Sequence, residues 1–210
     1  MHNDYKSVPI RAVIFDLGKV LVPFEFARAY QQFQAIAGYP LDELRKRAGN
    51  TGLVPQYEAG LIDSSDFIDR LSQALALPVS HDQFREIWNS IFLQHPLVPD
   101  AMVEGIKRRY PIVLLSNTNR MHFEMLDRTY PILRHFDKRV LSYEVRSLKP
   151  EPEIYAEAVK LAGVQPAECF FVDDIPEYVE GALRAGIDAV QFVSVPQLEA
   201  DLQARGIRWD

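Results

Sequence analysis

Three aspartates, a serine–asparagine pair and a lysine stand where short apolar runs of this sequence give way to polar chain. Asp16 closes the run VIFD, Ser116 and Asn117 close LLSN, and Asp173 and Asp174 close FFVDD. Lys149 lies in SLKPEPEIY, immediately before a helical pattern. Taken singly, an Asp or Ser after a strand is an ordinary helix cap and a lone Lys an ordinary solvated charge. Together they form a complementary set, provided the runs are neighbouring parallel strands. Clustered carboxylates repel one another and need a cation or protons to coexist. Their hard oxygens suit Mg²⁺, which also accepts phosphate oxygens. Ser116, Asn117 and Lys149 would supply donors and positive charge to a phosphate dianion. An aspartate that attacks phosphorus forms an aspartyl-phosphate, so the set reads as phosphoryl transfer.

The elements that must position these groups follow from the hydrophobic pattern. Apolar runs at Ala12–Phe15, Ile112–Leu115, Arg139–Ser142, Cys169–Val172 and Ala189–Phe192 are mostly continuous, as expected of strands covered on both faces. Helical patterns separate them, at 100–109, 120–133, 151–162, 176–185 and 196–204. This alternation predicts an α/β, Rossmann-like parallel sheet, with ligands beyond the carboxyl ends of its strands. Residues 23–95 break the alternation. They carry only helical patterns, at 26–37, 42–48, 56–59, 64–76 and 81–92, with Ser64 or Ser65 as a candidate cap for the fourth. We therefore expect residues 1–22 and 96–210 to form the α/β core, and residues 23–95 a small all-α domain inserted after the first strand. One continuous domain with an extra helical layer is the alternative.

Composition narrows the function classes. The formal net charge of −6 gives no electrostatic basis for binding nucleic acid or an anionic membrane. The single cysteine, Cys169, excludes an intramolecular disulfide and a multi-cysteine zinc site, and fits a reducing, cytoplasmic setting. No apolar stretch approaches membrane-spanning length, and the first 22 residues lack a signal-peptide pattern. Cys169, at the start of a buried strand, is expected to be inert, and Trp88 and Trp209 to be packing residues.

The ordered set Asp16, Ser116-Asn117, Lys149-Pro150 and Asp173-Asp174 resembles the four motifs of the haloacid dehalogenase-like hydrolases. The stretch YEAGLIDSSDF (57–67) resembles the helical cap of those proteins, and the resemblance spans nearly the whole chain. It implies a Rossmann-like core with a mobile cap, a Mg²⁺ cofactor and hydrolysis of a small phosphorylated metabolite by a monomer or homodimer. By that resemblance Asp16 is nucleophile and metal ligand, Asp174 a metal ligand, and Asp173 a ligand or its neighbour. The Gly18 carbonyl completes the metal set, and Ser116, Asn117 and Lys149 hold the phosphoryl group.

One position departs from the pattern. Phosphatases of this family usually carry a second aspartate two residues after the nucleophile, as general acid and base. Here the run is Asp16-Leu17-Gly18-Lys19. General acid–base help is worth about 10²–10⁴ in rate. Three readings follow: a phosphatase using a good leaving group or another acid, a metal-independent 2-haloacid dehalogenase, or a silenced scaffold that binds or regulates. The Asp-Leu-Gly run and SNTNR (116–120) resemble the family's α-glucose-1-phosphate phosphatase branch, which favours the first reading and a sugar 1-phosphate. Glu25 and His95 are candidate substitute acids, and Lys19 and Glu25 candidate substrate contacts.

Overall fold

The computed structural model describes residues 8–210; the part of the leader reading that falls on residues 1–7 lies outside them. Five parallel strands form one sheet: β1 (Ala12–Phe15), β2 (Ile112–Ser116), β3 (Arg139–Leu141), β4 (Cys169–Asp173) and β5 (Asp188–Gln191), in the order β3-β2-β1-β4-β5. The α/β class read from the sequence is the class observed. The chain leaves β1 to build one half of the sheet and crosses back to build the other. The crevice at that switch lies beyond the carboxyl end of β1.

The strands are apolar throughout because both faces are covered. Val13 and Phe15 face one core, with Met102, Val103 and Ile106 of α6 (Asp100–Lys107), Phe123 and Leu126 of α7 (Arg120–Thr129), and Leu198 and Leu202 of α11 (Val195–Ala204). Ala12 and Ile14 face the other, with Ile154, Tyr155 and Ala158 of α9 (Pro152–Ala162) and Val179 and Ala182 of α10 (Pro176–Arg184). Cys169 is buried in this second layer, and burial pushes its thiol up to about 11.

Residues 26–89 carry five helices: α1 (Phe26–Ala37), α2 (Leu41–Asn50), α3 (Leu53–Glu58), α4 (Ser64–Leu75) and α5 (His81–Asn89). They share a third core, built around Phe33, Leu44, Phe67, Leu71 and Phe84, which Met121 of α7 joins. The chain enters and leaves this helical unit side by side. Phe24 and Phe92 form an antiparallel bridge, Glu25 N–H donates to the Ile91 carbonyl (2.8 Å), and Leu93 N–H to that of Pro23 (3.0 Å).

Several expected boundaries shift for local reasons. The helix expected over 120–133 ends at Thr129, since Pro131 forces Tyr130 into an extended conformation; a 3-10 turn follows at Pro131–His135. The last helix of the helical unit ends at Asn89 rather than Phe92, because the residues beyond it join the bridge. The fourth is capped by Asp63, whose carboxylate accepts the Asp66 N–H (2.9 Å), and not by Ser64 or Ser65. Ser142, expected in the third strand, opens the one-turn helix α8 (Ser142–Val145). Among the described residues no helix is long and apolar enough to cross a membrane.

Candidate functional site

The register of the sheet brings the acids together. Phe15 of β1 pairs with Val172 of β4, so the next residues, Asp16 just past β1 and Asp173 as the last residue of β4, lie side by side at the carboxyl ends of neighbouring strands. Between them lies the Lys149 ammonium, donating to Asp16 Oδ1 at 2.6 Å and Asp173 Oδ2 at 2.5 Å. All three side chains are buried. Burial pushes the Asp16 carboxyl up to about 7; Lys149 opposes this and the charge of Asp173 adds to it. Burial also works against the Lys149 ammonium, but the charges of Asp16 and Asp173 outweigh it and hold the lysine above its ordinary value. Half-buried Asp174 is raised by burial and then by Asp173.

Lys149 is held in place by Asn117. The Asn117 carboxamide accepts the Lys149 N–H (2.8 Å) and donates to the Lys149 carbonyl (3.0 Å), with a further contact to the Tyr178 hydroxyl (3.3 Å). The side chain expected to grip phosphate here pairs with the backbone of the lysine. The Ser116 hydroxyl has only a long contact to the Asn117 carbonyl (3.4 Å) and can turn to a ligand.

Oxygen atoms of Asp16, Asp173 and Asp174 lie within 4.8 Å of one another. With every group ionised, three carboxylates against Lys149 leave a formal excess of two negative charges. A buried all-oxygen set with that excess suits a divalent hard cation, and one oxygen of Asp173 is oriented by the Ile175 N–H (2.9 Å).

The turn after β1 is tight: Lys19 N–H donates to the Val22 carbonyl (2.8 Å), and Lys19 adopts a left-handed φ of 56°. Its ammonium lies 5.3 Å from the centre of the Phe24 ring, and its charge lowers Asp174. A Cβ at Gly18 would stand 2.7 Å from Phe24 Cε1, so the ring fills the space of any side chain there. Glu25 and His95 are exposed and do not line the cleft.

A cavity of about 70 Å³ runs from Gly18, Ser116 and Asn117 to Val54, Glu58 and Trp88 of the helical unit. It shares Phe26, Val54, Trp88, Ile91 and His122 with an apolar chamber of about 340 Å³, which Tyr30, Phe33 and Arg45 also line. Trp88, expected only to pack, does so through Phe67 and His122 while also walling both spaces. Trp209 packs against the sheet core. Burial pushes His122 down to about 4, and its Nε2 bonds the Trp88 carbonyl (3.0 Å). Glu58 was not singled out in the sequence. Its one sequence signal is its place as the second residue of YEAGLIDSSDF (57–67), the stretch that resembles the family's cap.

The profile of the haloacid dehalogenase-like hydrolases matches residues 10–186. A D-ribitol-5-phosphate phosphatase of Bacteroides thetaiotaomicron is 26% identical over 188 residues, covering 87% of this chain and 91% of that protein. Flavin mononucleotide hydrolase 1 of Arabidopsis thaliana is 41% identical over 215 residues, covering 96% of this chain and 79% of that protein. Among solved structures, a HAD family enzyme from Bacteroides thetaiotaomicron in complex with magnesium and inorganic phosphate superposes with a TM-score of 0.79. It is 29% identical, over 89% of this chain and 96% of that one.

Proposed function

This chain belongs to the haloacid dehalogenase-like hydrolases, and we propose that, as a Mg²⁺-dependent phosphatase of that family, it hydrolyses the phosphate ester of a small polyol through an aspartyl-phosphate on Asp16. One observation carries the reading: a buried lysine bridges two carboxylates at the switch point of the sheet, with a third carboxylate beside them. Phosphatases among the relatives and a magnesium–phosphate complex of a similar enzyme support it.

Asp16, Asp174 and the Gly18 carbonyl would hold Mg²⁺, with Asp173 as a further ligand or as the group that orients them. When bound, the metal supplies positive charge against the carboxylates and the phosphate oxygens. The chain's own residues do the rest. Lys149 favours the ionised form of Asp16, fixes its carboxylate and offsets the charge it presents to an incoming dianion. An Asp16 oxygen attacks phosphorus, the bond to the ester oxygen breaks and the alcohol leaves. Water then attacks the phosphoryl group, releasing phosphate and free Asp16. The Ser116 hydroxyl donates to a phosphoryl oxygen. Asn117 acts through Lys149, and Lys19 is placed to meet the substrate at the mouth of the turn.

The relatives point to a substrate class. Flavin mononucleotide is itself a ribityl 5′-phosphate bearing a flat ring system, so it shares its reacting end with ribitol 5-phosphate. A chamber of about 340 Å³ is of small-molecule size and adjoins the cleft through shared walls. We read residues 23–95 as the cap that supplies these walls, and a reducing, cytoplasmic setting from the lone buried thiol. The sugar 1-phosphate implied by the resembling branch belongs to the same panel.

Purified protein is to be assayed with ribitol 5-phosphate, flavin mononucleotide, glucose 1-phosphate and p-nitrophenyl phosphate, with Mg²⁺ and with chelator. Metal-dependent phosphate release is expected, with polyol esters preferred. Metal binding without turnover of any ester would instead mark a silenced binding scaffold. Chloride release from 2-chloropropionate without metal would mark a dehalogenase.

A further inference from the structure

A primary alcohol is a poor leaving group unless its oxygen receives a proton as the bond to phosphorus breaks, and Gly18 cannot donate one. The cavity above the strand tips holds two titratable side chains, His122 and Glu58. His122 is not available. Its Nδ1 is engaged by the Asn119 carboxamide (3.0 Å), its Nε2 by the Trp88 carbonyl, and its ring is stacked on Trp88. Among the described residues, Glu58 is the only carboxylic acid in the lining.

The backbone of Glu58 is clamped to the tip of β2. The Ser142 hydroxyl donates to the Glu58 carbonyl (2.6 Å) and accepts the Thr118 N–H (2.9 Å), so one side chain ties the end of α3 to the loop after Ser116. Gly60, with φ of 66°, lets α3 approach α8 closely, since a Cβ there would run into the Tyr143 backbone. Tyr178, raised chiefly by burial, also senses the Glu58 charge, and its hydroxyl contacts Asn117.

The geometry points to Glu58 as the general acid and base of the reaction, standing in for the carboxylate absent at Gly18. This rests on the phosphatase reading above. In the first step the Glu58 carboxyl gives its proton to the ester oxygen as the P–O bond breaks, and the alcohol leaves neutral. In the second, the carboxylate takes a proton from the water that attacks phosphorus, the bond from Asp16 to phosphorus breaks, phosphate leaves, and free Asp16 and the protonated Glu58 are regenerated. Burial raises this carboxyl to about 7, and no other group contributes to that shift. The acid is therefore half-protonated near neutrality, which suits a group that gives and takes a proton in one cycle.

Glu58→Gln and the wild type are to be compared in Mg²⁺ with ribitol 5-phosphate and p-nitrophenyl phosphate, by rapid mixing and at steady state. With the alkyl ester, Glu58→Gln is expected to lose about 10²- to 10⁴-fold from the first turnover onward. With the aryl ester, whose leaving group needs no proton, it should release about one equivalent of p-nitrophenol rapidly and then turn over slowly. Equal losses on both esters in the first turnover, or a wild-type ratio between them, would overturn the assignment. Should Glu58→Gln fail to fold, the wild-type rates across esters of increasing leaving-group pKa decide. A shallow dependence supports an acid in the site, and a steep one removes it. Wild-type protein inactive on every ester would bring down the phosphatase reading and this assignment together. Aryl turnover abolished by Asp16→Asn secures the former independently of Glu58.

Discussion

The two walls of the cleft are built on opposite principles. On the sheet side polar groups are matched to one another: Asp16 and Asp173 share the Lys149 ammonium, Asn117 holds the lysine backbone, and the Ile175 N–H orients Asp173. On the helical side the wall is largely apolar, and the one carboxylic acid among its described residues, Glu58, is raised by burial. The difference assigns work. Bond making at phosphorus needs groups in fixed positions and belongs on strand ends, which the sheet holds rigid. Proton transfer and choice of substrate need a group of adjustable charge and a shaped space, and these belong to the helical unit.

The largest expected effects break the sheet wall. Asp16→Asn removes the nucleophile, and turnover should fall by about 10⁴-fold or more on aryl and alkyl esters alike. The fold should survive, because burial disfavours the Asp16 charge that this change deletes; denaturant unfolding beside the activity assay separates the two. Lys149→Met leaves two buried carboxylates without their cation. In chelator at pH 8 it should cost about 3–5 kcal/mol of stability. Added Mg²⁺ should restore part of this, seen as a larger metal-induced rise in Tm than the wild type gives. An equal rise in both proteins would mean that lysine and metal do not serve the same carboxylates.

The same contrast governs what the sequence discloses. Asp16, Ser116 and Asp173 are legible because a continuous apolar run that stops at a polar residue marks the end of a buried parallel strand. Gly18 is legible as a missing carboxylate. Asn117 is legible as a polar strand end but not in its role, since its partners are the peptide atoms of a residue 32 positions away. Glu58 is hidden for a related reason. The cap-like stretch 57–67 contains it, but its side chain reads as a solvated helix-end glutamate until Ser142 and Gly60 bring α3 against α8. Phe24, which occupies the space over Gly18, is likewise set by a return of the chain through Phe92.

A smaller effect tests the helical wall. His122 is held near 4, below its unfolded value of about 6.5, by burial. Its contribution to stability is therefore complete above pH 6.5 and is lost as the pH falls toward 4, where the unfolded chain takes up the proton first. Between pH 8 and pH 5 this loss should reach about 2 kcal/mol. In His122→Gln the baseline stability drops, since the Trp88 carbonyl and Asn119 lose a partner, but the loss on acidification should shrink by that amount. Unfolding titrations at both pH values read the difference. An unchanged acid sensitivity would mean that His122 does not remain neutral against Trp88.

The smallest expected effect lies where the two walls meet. If the missing acid were simply an empty place, Gly18→Asp would restore it and speed the hydrolysis of alkyl phosphates. The place is not empty: Phe24 Cε1 would lie 2.7 Å from the new Cβ, and the Phe24 ring is itself set against Phe26 and Phe92. Gly18→Asp alone should therefore cost about 1 kcal/mol through overpacking and bring no gain on ribitol 5-phosphate. Paired with Phe24→Leu, the same change should recover much of that cost, as a favourable coupling in a double-mutant cycle. Such coupling would place the ring, together with Glu58, as the helical side's replacement for a sheet-side acid. Additive effects, or faster alkyl turnover in the single Gly18→Asp protein, would return proton transfer to the sheet wall.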